Sequence, residues 1–521
     1  MVPLATLVAI ALSTGCGGTT PPHRAPDVGW TQFGGASGQA RASALAQVDR
    51  ATVSRLTTAW TFSPGPETAQ WESYPVVAGR TMYVTTNTGE VLALDATTGR
   101  RRWSYAPPVD LLATAAAGGT PQPVNRGVTV VGARVYGVTY DAHLFALRAR
   151  DGRPLWSARI ADPATGTTET SPPSFWHGRL IVGGSGSDTR ATPGFVAAFD
   201  ARTGRRLWRF KTVAPGHGGG RVWMPPTIDA ATGLVYAGTG NPSPALTTAR
   251  RTGCQRWVSG LVALDARTGA LRWGAHEVCG DAWDYDGGQP PLVFDARSGG
   301  RIVRAVGHAN KSGTYWIRDA ATGRALAPPL ALEDDHARER PTAAGTDVCP
   351  GAFGGVPYSP AALSVARRTI YQPVVRMCMR YQLGSATDTG AGHVELGGGV
   401  ATPIPGQQAR GALVAIDADR GTIRWQRTLP APMVGGALVT AGGLVFSGCD
   451  DGNLYAFDAR TGQIVWRHHV GLPFGTAPLT YRVAGVQYVA VVAGGSSITS
   501  VTGTRPGARL VVLRLPARST A

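Results

Sequence analysis

Lysine is nearly missing from this chain of 521 residues: Lys211 and Lys311 are the two lysines among 50 basic residues. Acids are sparse too, 33 in all, which leaves a formal net charge of +17. Such a charge invites a nucleic-acid partner. The arginines, however, are scattered through short turns such as Ala201-Arg202-Thr203-Gly204-Arg205-Arg206 and form no basic stripe interleaved with aromatics. No nucleic-acid partner is therefore expected. No Cys-x-x-Cys-His occurs, so the chain has no attachment site for a c-type haem. His276 and His308 lack the spacing of zinc ligands. No long stretch repeats its apolar residues at a helical period, which excludes a helical bundle. The apolar stretch Val2 to Leu12 is too short to span a bilayer.

What the chain does have is glycine (70), proline (38) and a repeated unit, Ala-x-Asp-x-x-Thr-Gly-x-x-x-Trp. It occurs at Ala93 to Trp103, Ala198 to Trp208, Ala263 to Trp273 and Ala456 to Trp466. Worn copies run from Ala146 to Trp156 and Ala415 to Trp425, and Asp319-Ala320-Ala321-Thr322-Gly323 begins another with Ala327 in the Trp place. An alternating strand buries one face, Asp-x-x-Thr-Gly makes a tight turn, and the next strand ends in a Trp that wedges between sheets. Such a hairpin cannot cover its apolar face alone and must stack on its neighbours. The Trp positions recur at about fifty residues, which suits four strands per repeat. The expectation is an all-β, single eight-bladed β-propeller over residues 27–521, with seven blades as the alternative. Its last strands, near Val489 and Val511, should close the ring against strands near Trp60 and so remove the sheet edges.

Residues 1–16 read as a signal peptide whose end, Ser13-Thr14-Gly15-Cys16, resembles a bacterial lipobox, although no basic residue precedes the apolar run. Cys16 would be the lipidated residue and residues 17–26 a flexible tether. Export to the periplasm or cell envelope is expected, with membrane contact only through that anchor. Cys254 and Cys279 can pair, as can Cys349 and Cys378, which suits an oxidising compartment. Cys449 is left as a buried thiol.

Three segments carry chemistry. Gly280-Asp281-Ala282-Trp283-Asp284-Tyr285-Asp286-Gly287-Gly288 interleaves three carboxylates with two aromatics. Carboxylates that close to aromatic surface want a cation or a route to water. Gly238-Thr239-Gly240-Asn241-Pro242 lies upstream, and His308-Ala309-Asn310-Lys311-Ser312-Gly313 downstream. Taken alone, Asn241 also suits a turn cap, Glu72 with Arg126 a structural ion pair, and Asp286 a solvated turn. Together the segments point to a pocket for a metal and a cofactor.

In these segments, and from Trp30-Thr31-Gln32-Phe33-Gly34-Gly35 to the last strands, the chain resembles the pyrroloquinoline quinone (PQQ)-dependent alcohol dehydrogenases, eight-bladed periplasmic quinoproteins. The resemblance implies oxidation of an alcohol or sugar hydroxyl, with electrons passed to a separate acceptor such as a soluble cytochrome c. It implies Asp284 as general base and Lys311 as the cation at the reacting quinone oxygens. Glu72, Arg126, Thr170, Ser185, Trp223 and Lys311 match cofactor-holding positions, Trp223 as the floor under the ring. Asn241, Asp284 and, less closely aligned, Asp188 match metal ligands. Asp286 matches the extra acid of the lanthanide-using members, so the ion is calcium or a lanthanide, with the added carboxylate tilting towards the latter.

Three departures concern the cofactor's ceiling and the substrate. The family's adjacent-cysteine disulfide would fall near Thr120-Pro121, its Asn after Cys349 has no counterpart, and Val434 replaces a rim aromatic. The alternative reading is a non-catalytic propeller lipoprotein acting as an envelope scaffold, similar to the β-propeller member of the outer-membrane assembly machinery. A binder of an anionic polymer is a third reading, resting on net charge alone.

Overall fold

The computed structural model describes residues 26–517 except 36, 66–69, 113–122, 187–192, 248–250, 252, 334–338, 385–393, 396, 497 and 500–506. The signal peptide, Cys16, nearly all of the tether, Thr120-Pro121 and Asp188 lie outside the described residues. Among the described residues the regular structure is almost entirely strand, and no helix is long and apolar enough to cross a membrane.

The first repeat shows the wiring. Strands Val76–Ala78, Thr81–Thr85, Val91–Asp95 and Arg101–Tyr105 pair antiparallel in chain order. Among the described residues eight sheets share this up-and-down wiring. One is completed from the far end of the chain: Thr57–Phe62 joins Leu479–Val483, Val486–Ala493 and Arg509–Arg514, with Trp60 opposite Val512. A further four-stranded sheet takes Thr346–Val348 from before the Ala362–Leu429 unit and its other three strands, Met379–Leu383, Val394–Glu395 and Gly399–Pro403, from between that unit's second and third strands.

The repeated residues explain how the sheets stack. Each repeat Trp stands opposite its repeat Ala, as in Ala93 with Trp103 and Ala263 with Trp273, next to a register shift that turns the outer strand. The indole then reaches the turn of the following sheet. Trp103 Nε1 donates to the Ala149 carbonyl (3.1 Å), Trp208 to Ala266 (3.1 Å) and Trp273 to Ala320 (3.0 Å). The receiving glycine is needed twice over. Gly462 has φ +70°, and a Cβ there would stand 2.5 Å from Trp425. Where Ala327 replaces Trp, the next glycine, Gly421, faces no ring: a Cβ there would meet the Ala327 methyl group at 2.9 Å and Ile317 Cδ1 at 3.6 Å. Between sheets lie apolar cores such as Val76, Tyr83, Ala93, Val135, Phe145 and Leu147.

In an antiparallel meander, the start of the first strand and the end of the second lie at one end of the sheet. Glu72, Arg126, Thr170, Trp223 and Asp284 all stand shortly before first strands; Ser185, Asn241 and Lys311 each stand two residues after second strands. The wiring therefore gathers them on one face. Disulfides join Cys254 to Cys279 and Cys349 to Cys378, while Cys449 is a buried free thiol.

Gly462→Ala should lower the urea-unfolding free energy by about 2 kcal/mol, because it adds a clash to an unfavourable φ. A midpoint unchanged from the parent would show that the indole does not depend on this glycine.

Candidate active site

The three carboxylates of the 280–288 segment have separate jobs. Asp281 is structural: its carboxylate accepts from Ser259 Oγ (2.6 Å), Trp283 N (2.9 Å) and Tyr285 N (3.1 Å), which winds the segment into a fixed turn. Burial pushes the Asp281 carboxyl above its ordinary value despite those donors. The turn puts Asp284 at φ +66°, a left-handed conformation that costs energy outside glycine and is held here by its surroundings. Asp284 and Asp286 then face one cation. Lys311 Nζ lies 2.5 Å from Asp284 Oδ2 and 2.8 Å from Asp286 Oδ2, with all three side chains less than a tenth exposed. Burial alone would lower the Lys311 ammonium; the two carboxylates outweigh it and hold the group above the ordinary lysine value.

The other elements are stitched to this cluster. Asn241 N donates to Asp286 Oδ1 (2.9 Å), and Gly240 leaves room for that oxygen, which a Cβ would approach to 2.6 Å. Asn241 Nδ2 donates to the Pro242 carbonyl (3.0 Å), fixing the amide plane. Lys311 N donates to Asp286 O (3.2 Å) and Gly287 N to Thr239 O (3.0 Å).

Beside the cluster is a cavity of about 240 Å³, lined by Arg126, Thr170, Ser185, Trp223, Asn241, Asp286 and Lys311 among others. Arg126 anchors one side: it pairs with Glu72 (2.6 Å) and bonds Thr170 Oγ1 (2.8 Å), with its guanidinium 5.1 Å from the Trp223 ring centroid. Thr170 Oγ also donates to the Trp223 carbonyl (2.9 Å). Gly288 makes room for the indole, since a Cβ there would stand 2.3 Å from it, and Tyr358 meets the ring edge-on at 5.9 Å.

Of the site residues expected from sequence, Glu72, Arg126, Thr170, Ser185, Trp223, Asn241, Asp284, Asp286 and Lys311 thus gather in one region, and Asp188 is not described. Asp286 is not a solvated turn residue but a buried one. Sequence reasoning missed Arg221, Phe353 and Tyr358, which also line the cavity. Arg221 could have been suspected from its place two residues before Trp223. Phe353 and Tyr358 sit on the loop after Cys349, where only a missing Asn had drawn notice. Val434 is buried in an apolar cluster with Tyr358.

The donor chemistry suits the groups that the resemblance implies. Among the described residues no three His, Cys, Asp or Glu side chains form a ready metal cluster. Two carboxylates and an amide nevertheless converge, all hard oxygen donors. An indole face flanked by Arg126, Arg221 and Lys311 fits a flat, anionic aromatic guest.

Residues 30–330 and 407–489 match the family profile of the glucose/ethanol/alcohol dehydrogenase β-propeller domain of the PQQ enzymes. The chain belongs to this family. All four strands of the further sheet, within residues 346–403, fall in the unmatched gap. Among curated relatives, the quinohemoprotein alcohol dehydrogenase of Comamonas testosteroni is 30% identical over 91% of this chain and 73% of its own length. The lanthanide-dependent methanol dehydrogenase of Methylacidiphilum fumariolicum is 31% identical over 87% of this chain and 82% of its own. Among solved structures, the Comamonas testosteroni enzyme superposes with a TM-score of 0.82 at 28% identity, covering 96% of this chain and 82% of that one. A europium-containing methanol dehydrogenase gives 0.82 at 27% identity, covering 94% and 98%.

Lys311→Met should leave two carboxylates facing each other without their cation, at a cost of about 3–5 kcal/mol at neutral pH. Relief comes by proton uptake, so a carboxyl in the variant would have a folded value raised above its unfolded one. The variant's stability should accordingly be greatest in mild acid and fall as pH rises, measured by urea unfolding from pH 4 to 8. A variant as stable as the parent across that range would refute the pairing.

Proposed function

We propose that the protein is a PQQ-dependent alcohol dehydrogenase using a calcium or lanthanide ion, in which each meander sheet is one blade of an eight-bladed ring. The carrying observation is the Lys311 ammonium held between Asp284 and Asp286 at the edge of a cavity floored by Trp223. When bound, PQQ supplies the two-electron acceptor for the alcohol carbon, and the ion polarises the reactive carbonyl.

The chain's own residues do the rest. Trp223 offers its face to a planar ring, while Arg126, Arg221, Thr170 and Ser185 supply cationic and hydroxyl partners for carboxylates and carbonyls. Asn241, Asp284 and Asp286 would hold the ion, with Asp188 as a further candidate. The second carboxylate favours a trivalent ion, which offsets more of the repulsion between acids. Asp284 takes the proton of the alcohol O–H, and Lys311, 2.5 Å from its Oδ2, holds it aimed. A buried base in a fixed turn needs little reorganisation at the moment of transfer.

The named relatives support an alcohol as substrate, and a sugar hydroxyl is a comparison for the substrate panel. Electrons leave to a separate acceptor, for which a soluble cytochrome c is the proposal. Two disulfides support an exported protein in the cell envelope. Lipidation at Cys16 belongs to the same proposal. A non-catalytic scaffold could use the Asp–Lys–Asp cluster to fix chain segments, but has no use for the polar cavity beside it that Trp223 and Arg126 line.

Titrating apo-protein with PQQ in calcium or lanthanum should shift the quinone absorbance at one equivalent and produce dye-linked oxidation of primary alcohols. Asp284→Ala should lower kcat by about 10²–10⁴-fold. Absence of PQQ uptake with either ion would end this reading.

A further inference from the structure

Asp450 occupies the same place in its sheet that Asn241, Lys311 and Ser185 occupy in theirs, two residues beyond the second strand, here Leu444–Gly448. It lines a separate cavity of about 500 Å³ together with Met377, Cys378, Gln407, Gln408 and Pro432. The residue is only 6% exposed, and neither carboxylate oxygen has a hydrogen-bond partner of normal geometry. The loop does not lack donors for want of order: Asp450 N donates to Pro432 O (2.9 Å), and the adjacent Cys449 Sγ bonds Ala431 O (3.2 Å). A buried carboxylate so poorly supplied with donors costs stability that a fold with no use for it would shed by substitution.

We propose that this cavity is a second ligand site, which takes a small organic cation bearing N–H donors, of guanidinium or ammonium type, with Asp450 as its counter-charge. The fork of a guanidinium matches the two oxygens that lack a partner of normal geometry, and Gln407 and Gln408 add neutral amide partners to the lining. Met377, Pro432 and the Cys378 sulfur offer apolar surface to the remainder. An adjoining cavity of about 340 Å³ shares Met377, Cys378, Gln407 and Gln408, and there Glu333, Arg376 and Arg410 are the charged groups. The other titratable neighbours of Asp450 are Asp451, next in the chain, and the Cys449 thiol.

Geometry sets the pH response. Burial pushes the Asp450 carboxyl up to about 8, with the Phe474 backbone amide offsetting part of that and Asp451 adding to it. A guanidinium remains charged throughout the working range, so any change of affinity near pH 8 reports Asp450. In the empty protein the sign is equally definite. A carboxyl raised on folding favours the native state in acid, and that contribution is lost as pH rises through about 8.

Calorimetric titration of the full chain with methylguanidinium at pH 9 should show one saturable site, with N-methylurea, its neutral counterpart, failing to bind. Affinity should weaken about tenfold between pH 9 and pH 7, as the ionised fraction of a group titrating near 8 falls. Asp450→Asn should weaken binding at least tenfold, whereas Asp284→Ala should retain it. Without ligand, Asp450→Asn should unfold at higher urea than the parent at pH 9, with the gap narrowing towards pH 4. Saturable binding that survives Asp450→Asn, binding lost in Asp284→Ala instead, or no binding at pH 9 would overturn the assignment. None of these readouts requires PQQ, so they stand apart from the test of the dehydrogenase reading.

Discussion

The region of the proposed active site depends on one interaction: an ammonium carried by the loop after one strand, shared between two carboxylates carried by the loop before another. Neither acid could be buried beside the other without it, and the lysine could not be buried without them. The cluster is therefore all-or-none. Once assembled it fixes three chain segments relative to one another, since Asp286 also receives the Asn241 amide and its carbonyl receives the Lys311 amide. Rigid placement of a base and its cation is what proton abstraction from a weakly acidic hydroxyl requires. The strain at Asp284 fits the same picture, because a left-handed aspartate persists only where its surroundings over-determine it.

The scaffold contributes in a different way. No blade carries a whole site; several of them lend between one and three of the named side chains from the same end of the sheet. Trp-to-turn contacts hold the sheets in angular register, so residues far apart in sequence, such as Glu72, Arg126 and Trp223, meet at the mouth of one cavity. Substitution in one strand-end loop can thus retune the pocket without touching the stacking that maintains it.

Much of this was legible in the sequence, for physical reasons. The repeat announced itself because tight turns demand glycine and a docking indole demands a glycine beneath it. Even the worn copy with Ala327 is intelligible, since Gly421 there has no ring to receive. The site was legible where side chains are expensive to bury, as with Asp284, Asp286, Lys311 and the Glu72–Arg126 pair. Resemblance supplied their roles, and chain order could not supply their meeting. The structural role of Asp281 was hidden because a carboxylate that accepts two local amides and the distant Ser259 hydroxyl looks in sequence like its two neighbours. Tyr358 and Phe353 were hidden because an aromatic on a long loop is silent until the loop's path is known. Asp450 was hidden most thoroughly, as one acid among several in turns.

The ring is fastened by Thr57–Phe62, a strand from near the start of the chain that pairs with Arg509–Arg514 near its end. During synthesis the partner of that first strand emerges last, so the final sheet cannot form until nearly the whole polypeptide is available. A chain of this wiring thus stays unlocked until its last strand is made. In this design, timing of assembly is written into topology.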